Sequence, residues 1–318
     1  MTTTGKKLSG SAADKNSFLY KVKKYRVLLL MLLPAVLYYI IFHYIPMFGV
    51  VLAFKTYDFG LGILHSPWVG LENFKFFFQS GQAAIVTRNT VLYNLAFIAV
   101  GNIFQIVVAV FLSELKNRYF VKVTQTSIFF PYFISWVIVS GLAYGLFSNE
   151  YGLINSLLSS WGKEPFNFYT TPRVWPFILV AFNTWKGLGY GSVVYLAAIS
   201  GMDTSIYEAA EIDGANIWQR IWYLTLRGLV PTIITLVLLS LGGIFRGNFA
   251  MFYQLVGDNG LLYNTTDVID TFTFRALFNT KDYGMSSAIG LYQSFLCFAF
   301  VMIVNTAVKK IDSDSALF

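Results

Sequence analysis

Residues 205–231 read SIYEAAEIDGANIWQRIWYLTLRGLVP. This is the longest polar, helix-compatible stretch in a chain that otherwise keeps returning to apolar runs of membrane grade. Glu208, Glu211, Asp213, Arg220 and Arg227 stand between two such runs. An ordered amphipathic insert between spans implies that something docks there. Ser205 followed three residues later by Glu208 fits a capping box, with Asp203 and Thr204 as alternative caps. Two helical turns can then run to about Ile212. Ala209 and Ala210 leave their surface nearly flat, so another backbone could approach closely. Asp213-Gly214 breaks the helix, because glycine takes backbone conformations other residues resist. Asp213 can cap a second helix from Ala215, in which Ile217, Trp218, Ile221, Trp222 and Leu224 fall at helical spacing. Pro231 suits the first turn of the following span. The expected shape is a short helix, a glycine turn, a second helix, then a span.

Composition sets the surroundings of this insert. A soluble domain carries about a quarter charged residues. This chain has 12% charged and 56% hydrophobic residues, with a positive mean hydropathy. The fold class is therefore an all-α membrane protein. The 31 Phe and 20 Tyr fit lipid-facing surfaces and interfacial belts. One cysteine, Cys297, excludes a disulfide framework, and His43 and His65 beside it give no metal cluster. The formal charge of +7 lies mostly in the first 26 residues. Because a span follows at once, it reads as a topology signal and not as a nucleic-acid patch.

In chain order, residues 1–25 form a basic cytoplasmic segment with Lys6, Lys7, Lys15, Lys21, Lys23 and Lys24, followed by Arg26. The apolar run after it is too long for a signal peptide. About six transmembrane helices are expected within residues 26–310: 27–45 (with Pro34 inside and Pro46 ending or kinking it), 90–112, 127–147 (with Pro131), 174–199, 229–253 and 288–307. Roughly 20 apolar residues are needed for each. The insert, as a loop over 203–228, lies between the fourth and fifth, and residues 311–318 form a short tail. With both termini inside, fourteen basic residues fall in cytoplasmic segments and seven in outer ones. The positive-inside rule thus favours N-in, C-in and puts the insert in the cytoplasm.

On these residues the chain resembles the membrane subunits of bacterial ATP-binding-cassette (ABC) importers. Glu208-Ala209-Ala210, then Asp213-Gly214-Ala215, then Ile221, Leu224, Leu226, Leu229 and Pro231 follow that family's EAA loop. Arg227 departs from it, standing where the family usually has proline, which puts the exit into the fifth span in question. Leu33-Pro34, HYIPMFGVVLAFK (43–55) and SPWVGLENF (66–74) are similar to oligosaccharide permeases of LplB-like and alginate-importing type. The resemblance covers nearly the whole chain after residue 25. It implies a permease subunit in the bacterial cytoplasmic membrane that imports oligosaccharides or acidic sugars. It also implies a coupling helix in which Glu208, Ala209, Ala210, Asp213, Gly214 and Ala215 dock on an ATPase subunit. The implied partners are a second, homologous permease (favouring a heterodimer), two ATPase subunits and an extracytoplasmic solute-binding protein, which residues 148–172 and 255–285 are placed to touch.

The chain offers no GxxxxGK[ST] phosphate loop. ATP and Mg would be bound by the partner subunits, with no cofactor in this chain. Ionisable groups inside spans are expensive and usually functional. Lys186 lies near the middle of the fourth expected span, with Asn183, Trp185 and Tyr190 around it. These residues either line a pathway for a sugar, or Lys186 snorkels and the nearby glycines only allow close packing. Arg246, Asn248 and Tyr253 form a second polar cluster in the outer half of the expected fifth span. Asn94, Asn102 and Gln105 are expected to make inter-helix hydrogen bonds. Acidic groups are nearly absent from the spans. That counts against the alternative, a secondary transporter needing no ATPase, and no nucleophile–base or metal constellation supports a membrane enzyme.

Overall fold

The computed structural model describes residues 18–311. Lys6, Lys7 and Lys15 of the basic segment and residues 312–318 of the tail lie outside the described residues. No strand occurs among the described residues; the one β contact is an isolated bridge between Lys55 and Trp68.

The first span is longer than expected. Helix α1, Arg26–Phe54, runs as α-helix to Tyr39, loosens into a π turn at Ile40–Tyr44 and tightens into 3-10 turns over Phe48–Phe54. Pro46 does not end it. It follows the π turn, where the i−5 bonding pattern has already displaced the ladder that a missing N–H would break. No residue from Arg26 to Met47 is buried. After the short helix α2, Glu72–Gln79, the long helix α3, Gln82–Glu114, contains the second expected span.

The third expected span is not one helix. It is α4, Arg118–Phe133, and α5, Trp136–Phe147, bent by 98° at the break. Ile134 and Ser135 are extended, and Ser135 starts α5 as its N-cap. Helix α6, Leu153–Ser160, lies in the connection to α7, Trp175–Ser200. The insert follows as α8, Thr204–Ile212, and leads into α9, Ile217–Leu241. The fifth expected span also breaks. Gly242 and Gly243 end α9, an unwound stretch follows, and α10, Phe249–Val256, starts from Asn248. Helices α11, Ile269–Phe278, and α12, Tyr283–Ile311, complete the fold.

By length and apolarity, α1, α3, α9 and α12 qualify as spans, or five elements do if the bent α4–α5 pair counts as one. The expected six is not reached on that criterion. Helix α7 has spanning length, but Asn183, Thr184, Lys186 and its glycines dilute its apolarity.

Helix α7 is the axis of the bundle, lying along α3 and against α4. One end is fixed by a core in which Trp175 and Leu179 pack with Tyr93, Val139, Met251 and Phe252. Trp175 Nε1 also donates to the Phe168 carbonyl at 2.9 Å. The other end packs Tyr195 with Ala109, Val110 and Leu229, against Met202 and against Ile221 of the insert. A third core, with Phe77, Val86, Ile269 and Ile289, ties α2, α3, α11 and α12 together. Gly189 allows α4 to touch α7 backbone to backbone: a Cβ there would lie 2.4 Å from Phe129 Cα.

Candidate functional site

Two places gather the residues singled out in the sequence. The first is the insert. Asp203, and not Ser205, is the N-cap of α8; its carboxylate accepts from the Ser205 N–H at 2.9 Å. The helix thus begins at Thr204, two residues earlier than a Ser205 cap requires, and Glu208 is carried too far along it to reach back. The Ser205 backbone and hydroxyl hold the Asp203 carboxyl below the usual carboxylate range. Glu208 is exposed, with no ion pair or hydrogen bond among the described residues.

The expected glycine turn is present. Gly214 has φ +81°, and its N–H donates to Glu211 O at 3.1 Å while the Ala215 N–H donates to Ala210 O at 2.9 Å. This is a Schellman ending. It occupies residues 213–215, so Asp213 cannot cap the second helix. Asn216 does, in a reciprocal capping box with Gln219 at 2.8 and 2.9 Å. Pro231 lies inside α9 and not in its first turn. The helix runs unbroken through Arg227, whose guanidinium sits 5.5 Å from the Tyr223 ring. A π turn at Ile221–Thr225 takes up the change of direction. Tyr207 bridges α8 to that turn, with its hydroxyl 3.1 Å from Thr225 Oγ1 and 3.3 Å from Met202 Sδ. Glu211 and Arg220 pair at 3.2 Å. A recess of about 330 Å³ beside them is lined by Ala210, Asp213, Gly214, Ala215, Tyr223 and Leu224. Ala209 lies on the exposed face, near Ile206 and Ile212.

The second place is a cavity of about 430 Å³ at the middle of α7. Asn183 and Lys186 line it, as does Asn248 from the start of α10, together with Thr184, Gln105, Trp136 and Tyr132. The Lys186 ammonium donates to the carbonyls of Pro131 (3.2 Å) and Tyr132 (2.6 Å), which end α4. It also lies 5.6 Å from the Tyr132 ring and 5.5 Å from the Trp136 ring. Thus Lys186 neither snorkels out of the bundle nor finds a carboxylate. Asn248 Oδ1 caps α10 by accepting from the Met251 N–H at 3.2 Å. Thr184 Oγ1 is buried with no hydrogen-bond partner among the described residues.

The other sequence candidates lie elsewhere. Trp185 turns away, edge-on to Phe182. Tyr190 stacks on Tyr132 at 5.1 Å and lines a neighbouring recess. Tyr253 stacks on Phe249, and Arg246 is exposed beside Asp270. Neither belongs to an unbroken fifth span, because the helix has already ended at Leu241. Asn94 and Asn102 make the expected hydrogen bonds. Asn94 donates to Ile244 O (2.9 Å) and Arg246 O (3.0 Å), steadying the unwound stretch, and the Tyr195 hydroxyl donates to Asn102 at 2.5 Å. Gln105 donates to Gly187 O at 3.3 Å and lies over Gly191. Sequence reasoning missed Thr184, Tyr132 and Trp136 as cavity residues. Pro131 and Ser135 in one apolar run were the available sign of a break.

At the end of the bundle remote from the insert, the 148–172 and 257–282 connections are bonded together. Asn259 donates to Tyr169 O at 2.8 Å and Thr265 to Pro172 O at 3.2 Å. Arg275 pairs with the buried Asp267 and lies 3.9 Å from the Tyr263 ring. Burial, then its bond to Asp258, pushes the Tyr263 hydroxyl up to about 12.

Residues 101–313 match the family described as the binding-protein-dependent transport system inner membrane component. The chain belongs to that family. This permease is 32% identical over 300 residues to the polygalacturonan/rhamnogalacturonan transport system permease protein YteP of Bacillus subtilis (strain 168), covering 94% of this chain and 93% of the relative. It is 32% identical over 312 residues to Protein LplB of the same organism, covering 98% and 95%. Among solved structures it is similar to a bacterial ABC transporter involved in the import of the acidic polysaccharide alginate. There the TM-score is 0.84 and the identity 33%, over 93% of this chain and 100% of that one. A second solved structure, of a bacterial alginate ABC transporter in complex with an alginate pentasaccharide-bound periplasmic protein, gives a TM-score of 0.82 at 32% identity, over 92% and 98%. The permease is thus a multi-pass membrane component of an ABC importer, with ATP hydrolysis on separate subunits. The insert is the EAA loop typical of its family.

Proposed function

We propose that this permease forms half of the pathway for an oligosaccharide or acidic sugar across the bacterial cytoplasmic membrane, N-in and C-in, and that α8 transmits force from an ATPase subunit. The observation that carries this is the build of the insert. Glu208 and Ala209 are presented on an exposed helix that is capped at both ends and tied by Tyr207 to the root of α9. A rigid knob of this kind moves α9 when its socket moves. Glu208, Ala209, Ala210, Asp213, Gly214 and Ala215 make up the docking surface, Glu208 supplying one directional contact and the alanines allowing close approach. Such a partly exposed pair contributes only about 1 kcal/mol, so placement matters more than its strength.

The names of the relatives support a carbohydrate substrate, and the cavity at Asn183, Lys186 and Asn248 supports a pathway along α7. The bare α1 leaves a face on which a second permease can pack, and the pair we propose is a heterodimer. The two bonded connections at the far end are the surface offered to a solute-binding protein, and two ATPase subunits complete the assembly. Co-purification of the ATPase subunit with Glu208→Lys, alongside uptake, tests the proposal. Both are expected to fall while the permease itself remains folded, and a variant that retains the ATPase and full uptake would refute the docking role.

A further inference from the structure

The cavity at the middle of α7 is built from hydrogen-bond donors left without acceptors. An ammonium has three N–H donors. Two of those on Lys186 are spent on the Pro131 and Tyr132 carbonyls, which leaves one. Asn248 uses its oxygen to cap α10, and its amide N–H groups have no acceptor among the described residues. The Thr184 hydroxyl is more than nine-tenths buried, lines the same cavity and has no partner among the described residues. A buried hydroxyl without a partner is destabilising, so its retention at this wall points to something that occupies the cavity.

The backbone adds to this polarity. Both broken spans resume at the cavity: α5 begins beside Trp136 and α10 begins at Asn248. Each therefore brings a helix N-terminus with its unsatisfied N–H groups and partial positive charge. Against these stands the carbonyl end of α4, a partial negative charge that the Lys186 ammonium already faces. No acidic residue lines the cavity. Asp270, the carboxylate nearest in the fold to this unwound stretch by its bonds, is engaged by the Gly247 N–H at 2.5 Å and by Gln293 at 3.0 Å. A site with a full cation met only by partial carbonyl charge, with free donors, two helix starts and no carboxylate among the lining residues, is complementary to an anion.

We infer that this cavity binds a carboxylate of the transported sugar, with the third Lys186 N–H and the Thr184 hydroxyl donating to it, so that Lys186 selects uronate-containing oligosaccharides over neutral ones. This deepens the proposed function and rests on it. It assigns specificity to the permease itself, at Lys186, which holds the end of α4, and at Thr184 two residues before it on α7. The Tyr132 and Trp136 rings beside the ammonium give the sugar ring an apolar face to lie against.

The test uses the full reconstituted transporter in proteoliposomes, with trigalacturonate and its fully methyl-esterified form as probes of equal length and different charge. Wild type is expected to transport the acid in preference to the ester. In Lys186→Gln that preference is expected to fall about tenfold, the scale of one charge-assisted hydrogen bond, with Lys186→Arg retaining most of it. Thr184→Val, close in shape and relieved of an unsatisfied hydroxyl, is expected to fold at least as well and to show a smaller loss of preference. It keeps the test decisive if Lys186→Gln does not assemble. An acid-to-ester ratio unchanged in Lys186→Gln and Thr184→Val, or equal falls for both probes, overturns the inference and leaves Lys186 as an elbow cap. Wild type that moves the ester and not the acid overturns the inference while the importer function stands. Wild type that moves neither probe overturns both.

Discussion

Single glycines on α7 set how closely its neighbours approach, and they differ in kind. At Gly189 an added methyl would meet backbone of α4, Phe129 Cα at 2.4 Å and Ile128 O at 2.5 Å. Backbone cannot step aside, so Gly189→Ala is expected to push α4 off α7 and destabilise the permease by about 1–3 kcal/mol, read as a lower thermal midpoint in detergent. At Gly191 the obstacle is the Gln105 side chain, at 2.0 Å, and a side chain can move or be removed. Gly191→Ala should therefore be destabilising alone and much less so in a Gln105→Ala background. Equal losses in the two backgrounds would show that the clash is not with Gln105. In the sequence, Gln105 was expected to make an inter-helix hydrogen bond, and close packing at the glycines was one of two alternatives, the other being a lined pathway. It could not tell which glycine met backbone and which met a side chain, because that depends on the azimuth of α3 and α4 around α7.

At the scale of elements, the coupling loop was legible because its chemistry is local. The alanine pair, the Asp-Gly turn and the apolar stripe each specify structure within a few residues. The caps were displaced by two or three positions because neighbouring candidates compete: Asp203 wins over Ser205, and Asn216 over Asp213. Gly214 sits at φ +81° with open space around it. Gly214→Val should thus act through backbone strain alone, about 1–2 kcal/mol, and uncouple ATPase activity from transport more than Gly214→Asn, which tolerates that conformation. The Asp203 carboxyl is depressed in the folded loop. Its capping contribution is complete above the ordinary carboxyl value, about 3.9, and is lost only as pH falls through the lower folded value. Hydrogen exchange at the Ser205 amide, corrected for its intrinsic rate, should accordingly show constant protection from pH 8 to 5. A loss of protection near pH 6 would assign the cap to another group. The two broken spans were not legible, since hydropathy sums over a window and is blind to a bend. Only Pro131 with Ser135, and Gly242 with Gly243, marked where the α-helical ladder stops.

At the scale of the whole molecule, apolar content fixed a helical membrane protein, and the charge bias gave its expected orientation. The number of spans was harder to read, because the axial helix α7 is the least lipid-like of the long helices. Its polar residues face protein and a cavity, and hydropathy cannot separate that from exposure to water. The opposite case is α1, almost wholly apolar after Arg26 and buried nowhere between Arg26 and Met47. A spin label at Leu30 or Leu37 is expected to be mobile in the permease alone and immobilised on co-expression with the second permease. A label equally mobile in both would place α1 in lipid. This helix also bears on how a cell keeps its subunits in proportion. Under the proposed pairing, helix packing and not bilayer insertion would distinguish a finished subunit from an orphan, and a permease made in excess would show membrane proteases a bare span that a partner would otherwise cover.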